Sequence, residues 1–210
     1  MNAIDAAKYV LSHPIIQQDE MTHLKLQKLV YYLKVWSVVD NHPDLITGDF
    51  VKWKLGPVNV NIWEKYKSYG KKPIPHETCP DNYLSSYEKD FVDFILENYV
   101  PINAYSLSAM THSEDPWKKT PDNQVIKENA MKQYYSGTLF ARNFPLDLNN
   151  KPFYPLYYDS HAAFYLDIPK KDQEKFLVFD NYIHYKKLKK FQQNEFQSFG
   201  CLLQILKSKQ

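Results

Sequence analysis

Apolar residues recur at helical spacing through most of the first 135 positions. Ile4, Ala7, Val10 and Leu11 fall on one face of a short helix that Asn2 can cap and Pro14 stops. Thr22 offers an N-cap to the clearest helix in the chain, in which Leu26, Leu29, Val30, Leu33 and Trp36 recur at three- and four-residue steps. Lys25, Gln27, Lys28 and Lys34 lie off that stripe, while Val35, Val38 and Val39 widen it. The pattern predicts a helix buried over much of its circumference, central to the core.

The period then changes from 3.6 to 2. Phe50 to Leu55 alternates, with Val51, Trp53 and Leu55 predicted to face inward and Gly56-Pro57 to end the strand. Asn59 caps a helix through Trp63 and Tyr66 to Tyr69, closed by Gly70. Three prolines between Lys71 and Asn82 mark a loop. Ser85 to Glu88 has capping-box spacing and opens a helix with a Tyr87, Phe91, Phe94, Ile95 face, running to about Tyr99 before Pro101. Ser106–Thr111 reads as a short helix ended before Pro116, and Thr120-Pro121 as the start of a helix to Tyr135. After Gly137 the helical period disappears. Ala162–Leu166 and Phe176–Phe179 read as short strands, Tyr182–Phe191 as a strand running into a basic helix, and Phe196–Leu206 as apolar at helical spacing. The pattern predicts a predominantly helical α+β chain: a compact helical domain over 1–137 with a small antiparallel β-hairpin, and an α/β extension over 138–210 packed on it.

Composition changes this picture little. A 210-residue chain, 44% hydrophobic and 24% charged, is long enough to bury a core without staples. Its 17 tyrosines suit half-wet contact surfaces and equally an AT-rich coding sequence. Net charge is only +2, but Lys170–Gln210 holds nine lysines against four acidic residues. Such asymmetry marks either an acidic-partner surface or a solvated basic tail. Cys79 and Cys201 are far apart in sequence, the N-terminus lacks the pattern of a signal peptide, and no apolar run is long enough to span a bilayer, so the expected compartment is the cytoplasm, with no membrane contact.

No site for catalysis stands out. Five scattered glycines allow no phosphate-binding loop, and seven histidines fall in no zinc-ligand pattern, so neither cofactor nor metal is expected. Thr111 to Trp117 is the densest polar–aromatic cluster. His112 and Glu114 there suggest either a proton-transfer pair or, the reading favoured here, a helix end ordered by local side-chain hydrogen bonds with Trp117 plugged into the core. A short helix before His23–Lys28 superficially copies a helix-turn-helix, yet apolar residues cover too much of the second helix for groove reading. Nucleic acid is an unlikely partner; the better basic footprint for it is Lys186 to Lys190.

Three segments in order carry a resemblance. They are Leu24–Tyr32 (LKLQKLVYY), Trp53–Val58 (WKLGPV) and Leu107–Trp117 (LSAMTHSEDPW). Together, over about residues 2–137, they resemble the Panacea domain family (SocA-like, GepA-like). The resemblance implies an antitoxin of a bacterial or prophage toxin–antitoxin pair, neutralising its toxin by direct binding without catalysis. A protease or chaperone is a further partner that one branch of the family suggests. The matching residues Leu26, Gln27, Leu29, Tyr32, Trp53, Gly56, Pro57, His112, Glu114, Pro116 and Trp117 read as fold specifiers. Candidate partner-binding residues lie instead in the extension: Tyr154, Tyr157, Tyr158, Tyr182 and Tyr185 as aromatic anchors, with Lys186, Lys187, Lys189 and Lys190 steering an acidic partner.

Overall fold

Residues 1–16, 21–79, 84–156 and 178–195 are described by the computed structural model, the side chains of the last helix as far as residue 188. The chain divides into two units, Met1–Ala141 and Arg142–Gln210. It is predominantly helical α+β, with one small antiparallel hairpin.

In the first unit, α1 (Ala3–Ser12) is capped by the Asn2 side chain and α2 (His23–Val39) by Thr22. All of α2 between Lys25 and Val38 is buried, and α1, α4, α5 and α7 pack around it. Leu26, Leu29, Val30 and Tyr32 are each 0% exposed, and full burial of such a side chain contributes roughly 1.5–3 kcal/mol. The polar positions off the apolar stripe are buried as well. Lys25, Gln27, Lys28 and Lys34 lie between 0 and 3% exposed.

The hairpin differs from the sequence expectation. β1 (Val51–Trp53) pairs with β2 (Gly56–Val58), so the reversal falls at Lys54-Leu55 and Gly56-Pro57 opens the second strand. Phe50 is the core residue at 1% exposure, and Leu55 at the tip is 59% exposed. Proline is tolerated in β2 because Pro57 pairs with Lys52, whose own N–H and C=O bond away from β2, to Gln124 and Asn123. No ladder donor is missing there.

After the hairpin come α3 (Val60–Tyr66), capped by Asn59 and closed through a 3-10 turn by Gly70, and α4 (Ser86–Tyr99), which has the full capping box between Ser85 and Glu88. α5 (Ala104–Ser113) is followed at once by α6 (Asp115–Lys119), with Pro116 in its first turn. Pro116 therefore starts a helix rather than following the end of one. α7 covers only Glu128–Tyr135. Residues 121–127 do not join it because their backbone is bound to β1. Lys52 N–H donates to Gln124 O, Asn123 N–H to Lys52 O and Ile126 N–H to Phe50 O, giving a bridge between Val51 and Val125.

In the second unit, Phe153 and Phe179 form an isolated antiparallel bridge, and Tyr182–Glu195 is helical throughout as α8, with no strand at its start. Asn143 donates to Tyr154 O and accepts from Tyr154 N–H, both at 2.9 Å. The predicted Ala162–Leu166 strand and the Phe196–Leu206 segment lie outside the described residues.

Gly56 is the most constrained position of the hairpin. Its φ is +103°, and a Cβ added there would lie 2.6 Å from Lys28 Nζ and 2.7 Å from Thr111 Oγ1. Gly56→Ala is therefore expected to lower stability by about 2 kcal/mol or more, through overpacking and backbone strain together. Urea unfolding monitored by tryptophan fluorescence measures it, and an unchanged midpoint would contradict this account of the turn.

Candidate functional site

The three sequence segments that carry the family resemblance meet on the backbone of the hairpin. From α2, Lys28 Nζ donates to Pro57 O at 2.8 Å. One residue earlier, the Gln27 side chain accepts from Asn59 N–H at 2.9 Å and donates to Asn59 O at 3.1 Å. Pro57 and Asn59 are the positions whose backbone groups point away from β1, so these two side chains cover the free edge of β2 in place of a further strand. Asn59 in turn caps α3 and donates from its side chain to Asp49 O.

From α5, Ser108 Oγ donates to Leu55 O at 2.9 Å, and Thr111 lies against Gly56. From α6, Trp117 Nε1 donates to Trp53 O at 3.1 Å. Its ring packs on His112, centroids 4.2 Å apart, and Lys52 Nζ lies 4.5 Å above it. Trp117 is thus a half-buried clamp on β1 rather than a core plug, and its neighbour Pro116 is the buried residue. Thr111 and Ser113 donate to backbone carbonyls within α5, as expected for an end ordered locally.

Glu114 stands at the joint between α5 and α6 with its carboxylate turned inward, so it makes no cap bond to α6. Both oxygens accept from Tyr32 Oη at 3.1 Å, and one accepts from Tyr135 Oη at 2.5 Å. Tyr32 stacks on Tyr99 at 4.3 Å, and Tyr99 Oη accepts from Trp36 Nε1 at 2.8 Å. A carboxylate thus joins α2, α7 and the α5–α6 joint through aromatic hydroxyls.

No cation lies within 4 Å of Glu114 and no carboxylate within 4 Å of Lys28 among the described residues. Burial pushes the Glu114 carboxyl up to about 7, against the pull of the two tyrosine hydroxyls. Burial likewise brings the Lys28 amine down to about 7. His112 and His23 are held below the usual imidazole value, first by burial and then by the nearby Lys28. His112 Nε2 is buried without a hydrogen-bond partner. These are groups of the kind that serve in proton transfer. Lys28 is 0% exposed and Glu114 9%, however, and the contacts of both run to the protein's own backbone and tyrosines. The arrangement fixes a hairpin between helices. Among the described residues no group of three His, Cys, Asp or Glu is placed to hold a metal ion, and no helix is long and apolar enough to cross a membrane.

The candidate partner-binding residues in the second unit divide. Tyr182 is 4% exposed and packs on Phe153 at 4.8 Å, so it is a core residue of that unit and not an exposed anchor. Tyr185 is half-buried against Phe153 and Phe179. Tyr154 is half-buried beneath Arg142, and Lys186 over the Tyr182 ring. Lys187 is exposed. Tyr157, Tyr158 and the side chains of Lys189 and Lys190 lie outside the described residues. The roles of Gln27 and Lys28 on the hairpin escape sequence reasoning. The one signal that could have found them is a lysine and a glutamine set in an almost continuous apolar helix.

Residues 26–118 match the family model described as antitoxin SocA-like, Panacea domain. The chain is 28% identical over 109 residues to antitoxin SocA of Caulobacter vibrioides (strain NA1000 / CB15N), a match covering 46% of this chain and 58% of that protein. The chain thus spans little more than half the length of this curated relative. No solved structure matches it.

The two buried ionisable groups give opposite pH dependences. Between 4.5 and about 7 the folded state holds the Glu114 proton that the unfolded chain releases, so stability falls as pH rises. Between about 7 and 10.5 the unfolded chain holds the Lys28 proton that the folded state releases, so stability rises with pH. Their joint contribution is lowest near neutrality. Glu114→Gln should remove the falling limb and Lys28→Met the rising one, each limb approaching ~1.4 kcal/mol per pH unit at its steepest. Urea midpoints at several pH values from 5 to 9 measure this; identical pH profiles for the variants and the parent would overturn it.

Proposed function

Because residues 26–118 form a Panacea domain of the antitoxin SocA-like family, we propose that the chain is an antitoxin that neutralises a toxin protein by binding it directly, in the cytoplasm. The observation that carries this reading is where the family-motif residues lie. Leu26, Gln27, Leu29, Tyr32, Gly56, Pro57, Glu114 and Pro116 are all buried. Their polar groups are committed to the hairpin backbone and to tyrosine hydroxyls. Recognisable residues that build a frame, rather than line a cleft, suit a scaffold whose outer surface meets the partner. The same contact could hold the toxin inert or deliver it to a protease.

Within the second unit, Lys186 and exposed Lys187 on α8 are proposed to steer an acidic toxin surface, beside Tyr154 as an aromatic contact. Charge of this kind acts mostly on the association rate.

The test is co-expression with the protein encoded by the adjacent open reading frame. Growth arrest by that protein alone, rescue by this chain and co-purification of the two are the expected results. Rescue without any physical association would sink direct binding. Lys186→Glu with Lys187→Glu should slow association about tenfold at low salt and leave the thermal midpoint of the chain unchanged. A nucleic-acid role would show instead as retention on DNA or RNA that collapses steeply with added salt.

A further inference from the structure

The two outer edges of the small sheet are treated differently. That of β2 is covered by Gln27 and Lys28. On the other side of β1, residues 124 and 126 bond inward to Lys52 and Phe50, which turns the backbone groups of Val125 and Lys127 outward. Among the described residues, Val125 N–H, Val125 C=O and Lys127 N–H have no hydrogen-bond partner. The Val125 side chain is 41% exposed. Beside this edge runs a groove of about 860 Å³, with Pro116 on its α6 wall and Ala130 and Tyr134 on its α7 wall.

We propose that this edge and groove dock an extended segment of a partner protein, carrying an acidic side chain, by strand addition. The inference deepens the binding function proposed above and rests on it only in requiring a protein partner. Donor, acceptor and donor at positions i, i and i+2 of an extended edge are matched by another extended backbone; a helix has its own backbone groups already paired. The groove is large enough for several side chains of such a strand. The charge follows from the lysines around it. Lys119 is paired with Asp115 at 2.7 Å, Lys52 with Asp122 at 3.3 Å and Lys34 with Glu128. Lys127, exposed and lining the groove, has no carboxylate within 4 Å among the described residues. An Asp or Glu on the incoming strand would supply one.

The probe is a phage-displayed library of random linear dodecapeptides panned on the full chain, with Ala130→Trp as counter-target. Tryptophan at 130 fills the groove, and Lys127→Glu is a second variant that leaves the groove's shape unchanged. Thermal midpoints equal to the parent's establish that each is folded. Enrichment of Asp- or Glu-bearing peptides is expected, with synthetic copies binding Lys127→Glu, and any folded Ala130→Trp, at least tenfold more weakly. Hydrogen exchange should show the Val125 and Lys127 amides exchanging rapidly in the free chain and protected in the complex. The proposal falls if no peptide is enriched over the counter-target, if the folded variants bind as tightly as the parent, or if those amides stay unprotected. Failure here leaves growth rescue untouched, and failure of growth rescue leaves the peptide result untouched, so the two inferences fail separately.

Discussion

Lys28 reaches the Pro57 carbonyl by crossing the face of residue 56, and a Cβ there would overlap its amine. That contact dictates much around it. Residue 56 must be glycine, both for space and for its positive φ. Residue 57 can be proline because its missing N–H would have pointed toward a helix and not toward β1. Gln27, one step earlier on α2, then meets both backbone groups of Asn59, which leaves Asn59's side chain to start α3 and hold Asp49. Unpaired, those edge groups would each cost about 1–3 kcal/mol in the interior. The central helix is anchored to the sheet by hydrogen bonds as well as by apolar packing, which fixes its rotation and its depth.

Glu114 plays the corresponding part on the opposite side of α2. Its partners Tyr32 and Tyr135 come from helices far apart in sequence, and both are phenols that stay neutral. A carboxylate held by neutral hydroxyls satisfies its oxygens without a paired cation, and burial raises its proton affinity. Lys28 is held by a neutral carbonyl and shifts the other way. Each group is more valuable as an orienting device than as a source of stability, since a buried charge without a counter-charge is costly. Both are closed off by the elements they join, so their shifted proton affinities describe the fold rather than a reaction.

Local signals were legible in the sequence. Asn2, Thr22, Asn59 and Ser85 each cap the helix their position announces, because a cap needs only a short side chain and the next turn of backbone. Signals that depend on distant partners were not. Gln27 and Lys28 sit off the apolar stripe and read as outward, yet their side chains find backbone 29 and 32 residues away. Thr120-Pro121 has the chemistry of a helix start, but β1 takes the following backbone and the helix waits until Glu128. Tyr182 resembles an exposed anchor in a polar segment and is instead packed beneath Phe153. The three motifs could be collected by resemblance; that they meet on one hairpin is a tertiary fact.

The two edges of the sheet connect this frame to its proposed use. Cover for the β2 edge comes from α2, inside the stretch 26–118 that matches the family. The edge at Val125 and Lys127 lies beyond that stretch, as do Ala130 and Tyr134 on the α7 wall of the groove. An edge closed by the chain's own side chains can only support the fold, whereas an edge left with its donors and acceptor free can take a strand from elsewhere. A scaffold that must present different surfaces to different partners would place its variable contacts where changing them leaves the Lys28–Pro57 and Glu114–tyrosine bonds undisturbed. The groove between α6 and α7 meets that condition, because Val125, Lys127 and Ala130 make none of those bonds.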